Sequence, residues 1–186
     1  ARVLHISTDF VFDGEKPEPY EETDAPRPVS TYGRTKLEGE RLLAESGCRN
    51  CILRIQWTYG RNGSNFVTRI IQAAQSHRPL KVVDDQVGSP TATTEVAKAI
   101  CDLLEARADG LYHFAADGYT SRYEMSRFIF DKTGIEAELG PCKSSEYATP
   151  AQRPLNSRFN CSKIRHLLND PIRPWQQPLS EFLETL

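Results

Sequence analysis

Apolar and polar positions along this chain switch between a period of two and a period near 3.6, and the switches divide it into short strands and longer helices. Val3 to Ile6 reads as a strand. Phe10 to Pro28 is rich in Pro, Glu, Asp and Gly and reads as a long loop, with Asp13-Gly14 as a turn signal. A helix is predicted from about Ser30 to Glu45. Pro28 stands where helix-start prolines are favoured, Ser30 and Thr31 are candidate caps, and Gly47 is the stop. Cys51 to Ile55 is a short apolar strand, Gly60 to Ser64 a turn, Asn65 to Gln75 a helix and Leu80 to Val83 another strand. A polar loop over Asp84 to Thr93 leads to a helix capped by Thr94 and ending near Glu105; Val96, Ala99, Ile100, Leu103 and Leu104 repeat at helical spacing. Gly110 to Ala115 is a strand, and Ser121 caps a helix over Arg122 to Lys132 with Met125, Phe128 and Ile129 inward. Pro141 to Phe159 is irregular and polar, Ser162 starts a short helix, and Pro178 or Leu179 starts the last. Strands alternating with helices predict an α/β fold on a parallel sheet.

Composition narrows the classes. The chain has 186 residues, enough for one domain or one domain plus a small lobe, and 39% of them are hydrophobic. Lys and Arg number 23 against 25 Asp and Glu, a net charge of -2 with no basic stripe, which argues against a nucleic-acid partner. No apolar run approaches ~18 residues, which argues against a membrane span, and no signal peptide is visible at the start. Five cysteines without framework spacing fit a reduced, cytoplasmic compartment. Cys48-Arg-Asn-Cys51 spells C-x-x-C, but a redox pair normally opens a helix, and this one closes a helix and opens a strand. The cysteines are read as buried structural thiols. His5, His77, His113 and His166 share no metal-ligand spacing and are read as structural or surface residues, so no metal site is expected. The first strand has almost nothing before it, neither an initiator Met nor a Gly-rich turn, and the chain reads as the C-terminal part of a longer protein.

The candidate chemistry lies in two segments. Tyr32 and Lys36 stand four apart in Val29-Ser-Thr-Tyr-Gly-Arg-Thr-Lys-Leu-Glu-Gly-Glu40, so they project from one helix face. Ser7-Thr8-Asp9 closes the first strand with two hydroxyls and an acid. A phenol titrates well above neutrality, and a cation four residues away favours its phenolate. Such a phenol can exchange a proton with a carbonyl or alcohol oxygen while a second hydroxyl, from Thr8, holds that oxygen. Together they describe an oxidoreductase site.

These segments resemble the extended short-chain dehydrogenase/reductases, and among them the dTDP-4-dehydrorhamnose reductase family. The resemblance rests on Ile6-Ser-Thr-Asp-Phe-Val-Phe-Asp-Gly14, Pro19-Tyr-Glu-Glu22 and Tyr32-Gly-Arg-Thr-Lys-Leu-Glu-Gly-Glu40. It continues through Arg54-Ile-Gln-Trp-Thr-Tyr59, Asn65-Phe66, Asp85-Gln-Val-Gly-Ser-Pro-Thr91, Gly110-Leu-Tyr-His113 and Arg153-Pro-Leu-Asn-Ser-Arg158, so it runs from end to end of the chain. The Tyr/Lys pair is shared across the superfamily; Trp57 and the Asp85 to Thr91 segment narrow it. The resemblance implies a Rossmann-like, doubly wound parallel sheet lacking its N-terminal strands, with a smaller C-terminal substrate-binding lobe. Residues 1–60 and 80–115 would be the remaining NAD(P)-binding part, and 61–79 and 116–186 mainly the lobe. It implies NADH- or NADPH-dependent reduction of the C4 ketone of dTDP-4-dehydro-L-rhamnose to dTDP-L-rhamnose, by a monomer or homodimer. Thr8, Tyr32 and Lys36 would be catalytic, with Ser7, Tyr32 and Lys36 toward the cofactor. Asp9, Trp57, Asn65, Gln86 and Arg153 would contact substrate, Trp57 at the sugar and Arg153 at the diphosphate.

Three departures stand out. Phe10 replaces the Tyr that many relatives carry after the Thr-Asp pair. Thr94 occupies an acidic position through which some relatives pair subunits with Mg2+, although Glu95 is adjacent. The Gly-rich turn that binds the cofactor pyrophosphate is not in these residues; roughly a hundred residues of such a half are expected to precede them, and these residues alone are expected not to turn over. The same motifs are compatible with a nucleotide-sugar epimerase or dehydratase, or with a non-catalytic subunit resembling the β subunit of methionine adenosyltransferase.

Overall fold

A computed structural model describes residues 2–76, 78–146 and 151–186; His77 and the 147–150 part of the expected irregular segment lie outside the described residues. The central sheet holds three parallel strands in the order β1 (Arg2–Thr8), β2 (Arg49–Ile55) and β7 (Gly110–Phe114). Between β1 and β2 runs α1 (Thr31–Glu45), begun by Ser30, whose side chain accepts a hydrogen bond from the Gly33 N–H. Between β2 and β7 lie β3 (Thr58–Tyr59), α2 (Phe66–Ala74), β4 (Leu80–Val83), β5 (Val87–Gly88), β6 (Thr91–Ala92) and α3 (Thr93–Glu105). After β7 come β8 (Thr120–Ser121), α4 (Arg122–Thr133), β9 (Leu139–Cys142), α5 (Ser162–Arg165) and α6 (Gln176–Leu183).

Two apolar cores follow from this order. The first gathers Cys51 and Leu53 of β2, Tyr112 and Phe114 of β7, Val96, Ala99 and Leu103 of α3 and Ile164 of α5. The second gathers Val67 and Ile70 of α2, Val82 of β4, Met125 and Ile129 of α4, and Leu179 of α6. Residues 80–115 contribute to both cores. β4 pairs with β9 in a sheet of its own, so Val82 packs with α2 and α4 while α3 packs on the central sheet.

Several local expectations are corrected by contacts no local pattern carries. The polar stretch from Asp84 holds two short strands, β5 pairing antiparallel with β8 and β6 pairing parallel with β3. Helix α3 starts at Thr93 after Ala92, which makes no side-chain cap, so Thr94 is not a cap. The last helix starts at Gln176, two residues before Pro178. Cys51, Cys142 and Cys161 are buried, but Cys48 and Cys101 are exposed. Burial raises the pKa of the Cys51 thiol, which keeps it protonated.

The long loop before α1 is held by a distant segment. Tyr20 N–H donates to the Arg158 carbonyl at 2.7 Å, Asn160 N–H to the Tyr20 carbonyl at 2.8 Å, and the Asn156 amide donates to the carbonyl of Glu18 at 2.8 Å. Phe12 stacks on Tyr20 with centroids 4.0 Å apart, and His113 on Phe159 at 4.1 Å.

Beneath this loop sits a buried ion pair. Arg54 of β2 donates to Glu40 of α1 through Nε at 2.9 Å and through NH2 at 2.6 Å, with the two side chains 3% and 7% exposed. Arg54 also contacts His113 Nε2 at 3.4 Å, and His113 Nδ1 lies 3.1 Å from the Tyr20 carbonyl. A carbonyl only accepts, so Nδ1 carries the proton and Nε2 is free to accept from Arg54. Burial, then the Arg54 charge, hold His113 neutral with a pKa pushed down to about 3.

Two measurements test this core. Arg54→Met leaves Glu40 buried and unpaired, with an expected loss of about 3–5 kcal/mol of unfolding free energy; Glu40→Leu with Arg54→Met should recover most of it, and denaturant titration of the single and double variants reads both. The His113 proton is excluded from the fold but is bound by the unfolded chain below about pH 6.5. Its contribution to stability is therefore complete above that pH and is lost as pH falls toward 3, by about 1.4 kcal/mol per pH unit. The wild-type protein should lose stability more steeply than His113→Gln between about pH 6.5 and about pH 4.5; equal slopes would refute the assignment.

Candidate active site

Thr8 is the last residue of β1, and its side chain starts a tight 3-10 turn over Asp9–Val11. Its hydroxyl accepts from the Phe10 N–H at 3.2 Å and lies 3.0 Å from Asp9 Oδ1. The first turn of α1 is pressed against that same turn. An added Cβ on Gly33 would stand 2.1 Å from the Phe10 carbonyl oxygen, so only glycine permits this approach. The adjacent Tyr32 ring meets Phe10 edge-on at 5.7 Å and remains 52% exposed. Phe10, the departure noted in the sequence, is thus the wall on which the Tyr32 phenol rests.

One turn along α1, Lys36 Nζ donates to the Ile6 carbonyl of β1 at 3.0 Å. That bond leaves two of its three N–H donors for other acceptors. Ser7, next along β1, has a buried hydroxyl with no hydrogen-bond partner among the described residues. Tyr32, Lys36, Ser7 and Thr8 thus share the junction of one helix start and one strand end.

Asp9 is only 3% exposed, and its carboxyl is engaged on both oxygens, by Thr8 and by the Ser157 hydroxyl at 2.5 Å. Burial raises its pKa, while the bonds from Ser157 and Thr8 and the Arg122 charge oppose the rise. As a carboxylate Asp9 accepts the Thr8 hydrogen bond; as a carboxylic acid it can donate to Thr8 and release that hydroxyl to donate elsewhere.

A groove of about 770 Å³ is lined by Trp57, Phe66, Gln86, Arg122 and Arg153 among others; Ser7, Thr8, Tyr32 and Lys36 do not line it, and the charge of Arg122 acting on the buried Asp9 is what links the two places. Trp57 is half-buried rather than a core aromatic, and it sits at φ 46°, a left-handed conformation unusual for a bulky residue. Gly88 of β5 makes room for it: a Cβ there would lie 2.7 Å from the indole. Gln86 borders the groove and donates to Ser144 Oγ at 3.0 Å. Asn65 borders it too, but its amide caps α2, accepting from Thr68 N–H at 3.2 Å and donating to the Gly60 carbonyl at 2.9 Å. Its side chain is thus engaged at the helix start while it also lines the groove. Arg153 is exposed on the rim.

Arg122 is the groove residue that sequence reasoning passed over. As the first residue of α4 it looked like an ordinary helix start. Its guanidinium lies 3.6 Å above the Trp57 ring centroid and 4.7 Å from that of Phe66. Burial pushes its pKa down to about 9, opposed by Asp9 and reinforced by Arg153.

The whole chain, residues 1–186, matches the model of the RmlD substrate binding domain. The chain belongs to that family. It is 37% identical over 186 residues to a dTDP-4-dehydrorhamnose reductase of Sinorhizobium fredii, covering 94% of this chain and 63% of the relative. A dTDP-4-dehydrorhamnose reductase crystal structure from Clostridium acetobutylicum superposes with TM-score 0.94 at 38% identity, covering 100% of this chain and 66% of that one. The Bacillus anthracis enzyme in complex with NADP gives TM-score 0.94 at 32% identity, with coverage of 100% and 66%. The chain thus spans just under two thirds of the length of these relatives. The fold is Rossmann-like α/β, as the sequence predicted. Among the described residues no cluster of three or more His, Cys, Asp or Glu is placed to hold a metal, and no helix is long and apolar enough to cross a membrane. Glu95 is paired with Arg173 and Lys98.

Gly33→Ala should force α1 away from the Asp9–Val11 turn. The expected cost is about 1–3 kcal/mol of stability, checked by thermal melts, together with a loss of turnover of roughly tenfold or more in the whole protein, checked by steady-state rates. Unchanged rates would mean that the helix approach does not set the geometry.

Proposed function

We propose that this chain carries the substrate groove and proton-transfer groups of an NAD(P)H-dependent reductase. Its reaction would convert the C4 ketone of dTDP-4-dehydro-L-rhamnose to the alcohol of dTDP-L-rhamnose. The observation that carries the reading is the junction of α1 and β1, where a helix bearing an exposed phenol and a lysine is bonded to a strand that ends in two hydroxyls, in a chain of this family that also holds a cationic groove.

The residues present fit a nicotinamide cofactor, since the buried, unpartnered Ser7 hydroxyl and the spare Lys36 donors stand ready for a polar ligand at the strand end. When bound, the reduced nicotinamide supplies the hydride. Tyr32 gives its phenolic proton to the ketone oxygen as that oxygen gains charge. Lys36 stabilises the phenolate left behind and holds the cofactor ribose. Thr8 donates to the same oxygen when Asp9 is protonated. Trp57 provides the apolar wall for the deoxysugar, Gln86 a polar contact, and Arg153 a charge-assisted bond to the diphosphate. The α1/β1/β2/β7 core would be the cofactor side, and the core formed by α2, α4 and α6 the substrate side.

Tyr32→Phe in the whole protein should leave binding of the dTDP-sugar nearly unchanged and lower turnover by on the order of 10²-fold or more. Stoichiometric loss of NADPH absorbance with the keto-sugar reads the wild-type reaction, which an epimerase or dehydratase would not give. Near-normal turnover in the variant would remove the phenol from proton transfer.

A further inference from the structure

The groove lined by Trp57 and Phe66 has an uneven charge. Among the described residues lining it are Arg69, Lys81, Arg122 and Arg153, and no Asp or Glu. These four are not equivalent. Arg153 is exposed, and Arg69 Nε already donates to Ser64 Oγ at 2.8 Å. Arg122 is different: its guanidinium is held between two aromatic rings, 3.6 Å from the Trp57 centroid and 4.7 Å from that of Phe66. Stacking of this kind fixes the plane of a guanidinium while leaving its N–H edges for in-plane acceptors.

Those edges lack protein partners. Among the described residues no hydrogen bond or ion pair reaches the Arg122 guanidinium, and its Nε is buried with no acceptor. A buried N–H left unpaired is costly, the more so on a charged group. The nearby carboxyl, Asp9, is bonded to Thr8 and Ser157 instead. The surroundings therefore desolvate and orient a cation without neutralising it, the arrangement expected of a group whose partner is a ligand.

We propose that Arg122 is a binding residue for the diphosphate of the nucleotide ligand, its fork held in plane by Trp57 and Phe66 and aimed at a phosphoryl oxygen. The proposal rests on the nucleotide-sugar reading above and deepens it. Arg122 joins two parts of the site, since the ring it stacks on is the one offered to the sugar. Engaging a phosphoryl oxygen would hold Trp57 in its left-handed seat at the moment the sugar docks.

The experiment compares thymidine, dTMP and dTDP as ligands of the whole wild-type protein and of Arg122→Gln and Arg122→Lys, by isothermal titration, with melting curves to show that each variant is folded. Arg122→Gln should weaken dTDP by about 10- to 100-fold, the range of a lost charge-assisted hydrogen bond, and leave thymidine, which has no phosphate to lose a contact, within about twofold. Arg122→Lys should recover part of the dTDP affinity but not all of it, because an ammonium lacks the fork. Equal weakening of thymidine and dTDP would show that Arg122 only shapes the groove, and unchanged dTDP affinity would show that it touches no phosphate; either overturns the proposal, as does a wild-type protein that binds no dTDP. A wild-type protein that binds dTDP through Arg122 but consumes no NADPH with the keto-sugar would instead overturn the reductase reading and leave the Arg122 site standing.

Discussion

The Glu40–Arg54 pair is the constraint on which the site depends. It joins the middle of α1 to the central strand of the sheet through two short bonds in a place closed to water. Tyr32, Lys36 and Glu40 follow one another at intervals of four along α1, so they form a slowly drifting stripe on one side of the helix. The ion pair anchors the far end of that stripe, the Lys36 bond to the Ile6 carbonyl anchors its middle, and the Gly33 approach to Phe10 anchors its start. Three fixed points leave the helix little freedom to rotate or slide. A buried pair of this kind adds little net stability compared with apolar residues of the same shape. On the proposed reading its value is position, because a phenol displaced by an ångström would transfer its proton poorly.

The same pair connects the helix to the loop that covers it. Arg54 lies over the Phe12 ring at 5.1 Å and meets His113, which reaches the Tyr20 carbonyl. Tyr20 in turn bonds to the segment around Arg158 and Asn160, and Ser157 of that segment bonds to Asp9 beside Thr8. A closed circuit thus runs from helix to sheet, from sheet to loop, and from loop back to the strand end that carries the second hydroxyl. This explains how a loop rich in Pro and Gly stays ordered without regular structure. It also explains why the C-terminal stretch after Arg153, irregular by sequence, matters to chemistry at the opposite end of the chain.

The groove is assembled differently. Trp57, Gly88 and Arg122 come from three separate segments with no shared sequence pattern, and each accommodates another. Gly88 leaves space for an indole held in a left-handed backbone, and the indole seats a guanidinium that has no acceptor among the described residues. Strain and unpaired donors of this sort are disfavoured in a protein interior unless a ligand shares them.

The sequence by itself determined the helices and strands that repeat strongly, the caps at Ser30 and Ser121, and the Tyr32/Lys36 pair, because each is a matter of spacing within a few residues. The family was legible for the same reason, since its motifs are local strings. Tertiary structure alone decided what distant segments do to one another. It assigned β4 to the second core through β9, drew two strands out of the loop after Asp84, and turned Asn65 into a helix cap. It also made Glu40 the buried partner of Arg54 and placed Arg122 upon Trp57. A glutamate in a charged helix or an arginine at a helix start looks like an ordinary solvated residue. Only the approach of a second chain segment, which removes water and supplies or withholds a partner, gives such a residue its role.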